Sequence, residues 1–271
     1  MNSSDRLFSV IILAADRDRN DPVARSAAVS CKALTPVAGR AMVLRVLDAL
    51  AAARETGVRI LAGPARESVE QDAELCNLIN TGMVQWHSPH ATPSTSAFSV
   101  LQSLPDDVPV LVTTADHALL TAEMVDYFCK AARNSGCDVL AGVARHDLVA
   151  EAFPESRRTV TRLKDGGYCG CNLFAFLTPQ ARLAADFWRK VEKERKKPLR
   201  IVKVMGWLAV LRYLLGQLTL NQALSGLSRR MKLQVGVVQM PFAEAAVDVD
   251  KVDDWILVES LLAGRNQKAP L

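Results

Sequence analysis

The sequence predicts an α/β protein with a mostly parallel sheet and helices on both faces. Short apolar runs rich in branched residues alternate with longer segments whose apolar residues recur at helical spacing, the signature of βαβ units. The first run, Phe8 to Ala14 (FSVIILA), is continuously apolar, as a strand covered on both faces requires. The 271 residues are 49% hydrophobic and 23% charged, enough to bury a large core and too apolar for disorder as the main state.

The elements follow in order. After the Phe8–Ala14 strand comes a polar loop to Thr35, then a helix over 41–54 with Val43, Leu44, Leu47 and Leu50 on one face. A strand over 58–62, a helix over 67–79 and a strand over 83–86 come next. The series continues with a helix over 95–104, a strand over 108–113, a helix over 122–134 and a strand over 138–144. The second half changes character: strands over 158–163 and 172–176 flank an Asp165-Gly166-Gly167 turn, and a helix covers 179–194. Helices over 204–216 and 220–231, a strand over 233–240 and a helix over 252–263 complete the chain. With no repeat and no low-complexity linker, the reading is a single domain over 1–271, its halves 7–145 and 146–271. Right-handed crossovers bring the strand C-termini to one edge, where ligands bind. The loops after Ala14, Trp86 and Thr114 are expected to form one pocket there.

Charge and cysteines exclude several classes. Thirty-three Lys and Arg against 29 Asp and Glu give a net charge of +4, too balanced to imply nucleic-acid binding. The six cysteines form no CxxC pair and no zinc spacing with the four histidines, so they are expected to be reduced. The start of the chain lacks the basic flank and apolar core of a signal peptide, and no run reaches the ~18 residues of a membrane span. The expected location is cytoplasmic.

The chemistry-bearing residues begin in the first loop. After Leu13, the small residues Ala14 and Ala15 at the end of the first strand let backbone N–H groups approach a phosphate, and Lys32 could neutralise it. As a loop lysine, Lys32 is expected to matter little for stability. Asp116 follows a buried strand, where a carboxylate faces the ligand edge; the alternative is a cap for the next helix. Ser94, Thr95 and Ser96 open a helix, as caps or as groups reading a base. Trp86, His87 and His90 stand just before them. Gly167 and Asn172 lie on the later turn, with Arg157, Arg158 and Arg162 nearby. The basic stretch from Arg189 to Lys203 runs into the apolar segment 204–215. A solvated turn before a buried helix is preferred there over peripheral contact with an anionic membrane.

Taken together, these motifs resemble the nucleotidyltransferase family, both sugar-phosphate nucleotidylyltransferases and molybdenum-cofactor guanylyltransferase-like enzymes. The motifs are Leu13-Ala14-Ala15, Lys32-Ala33-Leu34, Val37-Ala38-Gly39-Arg40, Leu111 through His117, and Ala246-Val247-Asp248-Val249-Asp250 with Asp253-Asp254. Asp16 stands where the family usually has glycine. The resemblance implies a Rossmann-like fold of the nucleotide-diphospho-sugar transferase type. It also implies transfer of a nucleoside monophosphate from an NTP to a phosphorylated acceptor, a lipid head-group precursor among the options, with release of pyrophosphate. Lys32, Arg17 and Arg25 would then act on the phosphates. Leu13, Ala14, Ala15, Asp16, Ser94, Thr95, Ser96 and Asp116 would line the nucleotide. Mg²⁺ would be held by Asp116 and Asp250, with Asp248 as the weaker candidate. Arg158, Gly167 and Asn172 would face the acceptor in the second half. Two rivals remain: a metal-dependent glycosyltransferase using Asp248-Val249-Asp250, and a catalytically silent nucleotide-binding protein, for which Asp16 speaks.

Overall fold

In the computed structural model, which describes residues 6–16, 20–194 and 207–268, the buried strand β1 (Phe8–Leu13) is the axis of the molecule. Both of its faces are covered, which explains its unbroken apolar sequence. Ten strands are described: β1, β2 (Pro36–Val37), β3 (Arg40–Ala41), β4 (Thr56–Ala62), β5 (Gln85–His87), β6 (Val110–Thr114), β7 (Val139–Arg145), β8 (Thr161–Leu163), β9 (Gly166–Phe176) and β10 (Val235–Met240). The main sheet runs β10-β7-β9-β6-β1-β4-β5, with β8 pairing β9, and β2 and β3 form a separate hairpin.

The helices are α1 (Pro22–Ser26), α2 (Met42–Ala52), α3 (Arg66–Val69), α4 (Ala73–Asn80), α5 (Pro93–Ser103), α6 (Ala122–Arg133), α7 (His146–Ala152), α8 (Arg182–Glu194), α9 (Trp207–Leu214), α10 (Leu220–Met231) and α11 (Val252–Lys268). α2 and α6 pack their Val, Leu and Phe side chains on one face of the sheet, while α5 and α8 cover the other. Burying these two apolar layers supplies the main stabilisation.

The expected series of βαβ units holds through β7, and one departure decides the site. β9 runs antiparallel between β6 and β7, pairing Leu111 with Ala175 on one side and Leu140 with the same residue on the other. It returns the chain so that its start lies at the edge where the parallel strands end. Its ladder with β7 shifts between Ala141 and Val143, whose partners are Phe174 and Gly170. This bulge places Asn172 in left-handed backbone, φ 48°, and turns its side chain toward the site. Gly142 lies against the bulge: a Cβ there would sit 3.2 Å from Leu173 Cβ and 3.3 Å from Cys171 Cβ.

The single helix expected over 67–79 is two, α3 and α4, because Asp72 caps a new start by accepting Leu75 N–H. Two further helices went unread, α1 and α7. The helix expected to be buried after the basic stretch is not: α9 buries none of its residues. That expectation missed because apolar content alone does not distinguish a core helix from an exposed one.

The C-terminal edge is knit by backbone bonds beyond the ladders. Ala14 N–H donates to Ala62 O (3.0 Å) and Ala115 N–H to Leu13 O (2.9 Å), so the loops after β1, β4 and β6 leave the sheet in contact. Gly63 completes this contact. Its φ is 86°, and a Cβ there would lie 2.9 Å from Ala15 N. Gly82 has a similar φ of 74° with nothing within 4 Å. Gly63→Ala is therefore expected to cost about 1–3 kcal/mol, and Gly82→Ala about 1 kcal/mol from backbone strain alone. Urea unfolding of both variants measures the difference; equal costs would mean the Gly63–Ala15 approach is not tight.

Candidate functional site

At this edge lies a cavity of about 310 Å³, lined by the ends of β1 and β6, the loop at 14–16, Lys32, and residues from β9, α8 and the turn before α11. The loop is held closed by its own aspartate. Both carboxylate oxygens of Asp16 accept the backbone N–H of Lys32, at 3.1 and 3.2 Å. Burial raises the Asp16 pKa, and that hydrogen bond works against the rise. Asp21 caps α1 by accepting Val23 and Ala24 N–H, and its side chain also lines the cavity. An Asp followed by Pro at a helix start is a readable cap signal, yet Asp21 went unread as a site residue.

Lys32 joins the two carboxylates expected to hold metal. Its Nζ lies 2.6 Å from Asp116 Oδ2 and 3.4 Å from Asp250 Oδ1. The Lys32 and Asp116 side chains are 18% and 15% exposed, so this is a largely desolvated pair, whereas Asp250 is open to solvent. Burial alone would lower the Lys32 pKa; the charge of Asp116 and its hydrogen bond, then Asp250, push it above the ordinary value. Burial alone would raise Asp116; Lys32 above all brings it below the ordinary value. The pair is therefore ionised at neutral pH. Backbone geometry fixes the third partner, since Val249 N–H donates to Asp116 O at 3.1 Å. Asp116 is not the cap of α6; Thr121 is, accepting Met124 N–H.

Asp248 is engaged differently. Arg158 Nη1 donates to its Oδ1 (2.9 Å) and to its backbone O (2.8 Å), and Asn172 Nδ2 donates to its Oδ2 (2.8 Å). Arg158 Nη2 lies 2.9 Å from Asp254 Oδ1. Asp254 in turn accepts the N–H groups of Asp250 and Lys251 at the start of α11. The Arg158 side chain, 6% exposed, is thus spent on Asp248 and Asp254. Burial, with the charges of Asp116 and Asp250, pushes the Asp248 pKa up to about 6 against the pull of Arg158.

The donors at this edge are carboxylate oxygens, which suit a hard divalent cation. Among the described residues no group of three or more His, Cys, Asp or Glu could hold a metal ion by itself. Two carboxylates suit Mg²⁺, which usually takes one or two from protein and the rest from phosphate and water. Asp116 Oδ1 fits this, being a buried oxygen that forms no hydrogen bond of ordinary geometry.

The other sequence-selected residues are distributed unevenly. Leu13, Ala14, Ala15 and Asn172 line the cavity. Ser94 and Ser96 are buried in the first turn of α5, where Ser96 Oγ accepts His90 N–H and Thr92 is the cap; Pro93 is the part of this segment that lines the cavity. Gly167 packs on His146 and Val160. Arg25 is exposed on α1, and Arg17 lies outside the described residues. Trp86 donates to Pro64 O. His117 is buried beneath Asp116, and desolvation drops its pKa to about 4. Phe174 and Trp188, unread in the sequence, stack at 5.8 Å and give the cavity an aromatic wall. One comes from the bulged strand and the other from α8, so only the fold brings them together.

The family model described as "MobA-like NTP transferase domain" matches residues 10–229. Among curated protein sequences, none matches this chain. Solved structures do. A transferase from Thermus thermophilus, described as hypothetical, is 28% identical with a TM-score of 0.75, over 92% of this chain and 99% of its own. A 4-diphosphocytidyl-2C-methyl-D-erythritol synthase from Anaerococcus prevotii is 15% identical with a TM-score of 0.59, over 97% of this chain and 100% of its own. A CMP:2-keto-3-deoxy-manno-octonic acid synthetase complexed with CTP is 10% identical with a TM-score of 0.58, over 96% and 99%. The last two share the fold, the nucleotide-diphospho-sugar transferase type.

The raised pKa of Asp248 has a consequence for stability. The folded protein binds this proton more tightly than the unfolded chain. Between the ordinary value of 3.8 and about 6 the native state therefore carries the extra proton, and stability falls as pH rises through this window. Asp248→Asn, which keeps the shape and removes the charge, is expected to be about 1–2 kcal/mol more stable than the parent at pH 7.5. The advantage should vanish near pH 4. Thermal melts at the two pH values check it; destabilisation at pH 7.5 would mean the Arg158 pairing outweighs burial.

Proposed function

The chain belongs to the family of MobA-like NTP transferase domains and is a nucleotidyltransferase; on that premise we propose a reaction. It transfers a nucleoside monophosphate from an NTP to a small phosphorylated acceptor, releases pyrophosphate and depends on Mg²⁺. The observation that carries the reading is Lys32, a protonated amine held by Asp116 and Asp250 at the cavity formed by the loop after β1. Two structural neighbours are named for cytidyl chemistry and one is complexed with CTP, so CTP is the first nucleotide to test.

The residues divide the labour as follows. The loop Leu13-Ala14-Ala15 has no bulky side chain after Leu13, so the triphosphate can lie close to its backbone. Asp16, tied to Lys32 N–H, fixes the loop to the lysine instead of opposing the nucleotide. The Lys32 ammonium neutralises charge gathering on the α- and β-phosphates as the acceptor's phosphate oxygen bonds to the α-phosphorus and the bond to the β-phosphate oxygen breaks. No protein nucleophile is needed. The aromatic wall of Phe174 and Trp188 offers a flat apolar surface to base or acceptor. Asn172, oriented by the β9 bulge and by Asp248, faces the acceptor side.

The charge of the cavity supports the metal requirement. Among its described lining residues, Asp16, Asp21, Asp116, Asp248 and Asp250 stand against Lys32 alone. A triphosphate entering such a site needs added positive charge. Asp116 and Asp250 would hold Mg²⁺, which would supply that positive charge to the phosphates.

Pyrophosphate release with a panel of NTPs and phosphorylated acceptors tests the proposal; turnover of an NDP-sugar instead would favour a glycosyltransferase. Lys32→Ala is expected to lower kcat/KM by about 30- to 1,000-fold, or about 2–4 kcal/mol. Contrary to the expectation for a loop lysine, it should also destabilise the fold by about 2–4 kcal/mol, because Asp116 loses its partner while buried. Adding Asp116→Asn to Lys32→Ala should recover most of that stability and none of the activity; unchanged turnover in Lys32→Ala would refute the assignment.

For the metal, Asp116→Asn and Asp250→Asn should each raise the Mg²⁺ concentration needed for half-maximal rate, and chelation should abolish turnover reversibly. Activity that persists in chelator would remove Mg²⁺ from the reaction.

A further inference from the structure

The helix α9 presents an apolar face to solvent. Trp207, Leu208, Leu211, Leu214 and Leu215 recur at i, i+1, i+4, i+7 and i+8 and are 64, 54, 44, 75 and 60% exposed. A contiguous face of this kind marks an interaction site. Its orientation is fixed from the C-terminal side. Gln217 N–H donates to Arg212 O (2.7 Å), Lys164 N–H to Leu218 O (2.9 Å), and Leu220 N–H to the Asp165 carboxylate (3.1 Å). The turn between α9 and α10 is thus anchored to the tip of the β8–β9 hairpin, and the Thr219–Gln222 capping box starts α10.

Charge identifies the partner. From Arg195 to Ala243 the sequence holds nine lysines and arginines and no acid, although the whole chain has 33 bases and 29 acids. Outside this segment acids outnumber bases. Next to α9 an open cleft of about 710 Å³ is lined by Arg212, Arg229 and Lys232, with Asn221, Gln222 and Ser225 among them. Apolar side chains facing out, bases at their flank and aromatic rings in Trp207 and Tyr213 form the pattern of a helix lying in a membrane interface. A second copy of the chain on the same face would set two basic segments against each other. No described helix is long and apolar enough to cross a membrane, so contact would be from one side.

We propose that α9 and the basic cleft form a docking surface for an anionic lipid bilayer, the apolar face entering the acyl boundary and the cleft receiving phosphate head groups. This does not depend on the nucleotide chemistry. The test is flotation of the full chain with phosphatidylcholine vesicles, with and without phosphatidylserine. Binding is expected only with the anionic vesicles at low salt, and high salt should release it. Leu211→Glu with Leu214→Glu, and separately Arg212→Glu with Arg229→Glu, should each reduce the bound fraction by about tenfold or more, with melting temperatures unchanged. Pyrophosphate release without vesicles should stay at the parent's rate, so failure here leaves the catalytic reading standing. No flotation at low salt would overturn the proposal, as would flotation that ignores both pairs of substitutions. A concentration-dependent dimer in sedimentation that Leu211→Glu and Leu214→Glu dissolve would overturn it in favour of self-association.

Discussion

The ion pair between Lys32 and Asp116, at 2.6 Å and largely desolvated, constrains more of this molecule than any other contact at the site. Two charges taken out of water are tolerable only if each finds the other in good geometry. That geometry needs β1 and β6 adjacent and in register, so that Leu13 and Thr114 end together. It needs the short helical turn at Lys32–Leu34, which Asp16 holds by the Lys32 N–H. It needs Val249 bonded to Asp116 O, which brings Asp250 to the same amine. Segments far apart in sequence thus converge on one ammonium group.

Asp16 shows how such a constraint changes the meaning of a residue. Beside a phosphate loop, a carboxylate reads as an obstacle to an anionic ligand. In the structure it accepts the N–H of Lys32 with both oxygens and so replaces a free backbone donor with a fixed turn. Arg158 changes meaning in the opposite direction. A sequence position among other arginines suggested a group reaching for an acceptor phosphate, but the side chain is buried between Asp248 and Asp254. Through Asp254, which accepts the N–H groups of Asp250 and Lys251, it braces the turn that carries Asp250. It acts on the site by positioning.

The alternation of apolar strands with amphipathic helices made most of the sheet legible, because burial on both faces leaves a continuous apolar record, as in Phe8–Leu13. Strand direction leaves no such record. Gly166–Phe176 is apolar enough to be a central strand in either direction, and its antiparallel place between β6 and β7 is set by the hairpin with β8 and by a bulge accommodated at Gly142. The cavity-lining residues that local pattern exposed were those with a local cause: small residues after a strand, a carboxylate at a strand end, a paired aspartate before a helix. Phe174 and Trp188 have no local cause, since each reads as ordinary core until the bulge and α8 bring the rings into contact. Ser94 and Ser96 erred the other way, their hydroxyls serving the fold inside α5 instead of the cavity.

The distribution of charge ties these parts together. Carboxylates crowd the cavity, and Asp248, lifted first by burial and then by the charges of Asp116 and Asp250, has its pKa pushed up to about 6. Bases collect instead in the sequence from Arg195 to Lys232, of which Arg212, Arg229 and Lys232 line the cleft beside α9. A chain close to neutral overall therefore has an acidic cavity at the strand ends and a basic cleft beside α9. Arg212, Arg229 and Lys232 line the cleft beside α9, whereas Lys32 is the single described base lining the cavity. A polyanion at the cavity would therefore need its own counter-charge, whereas one at the cleft would meet arginine and lysine directly.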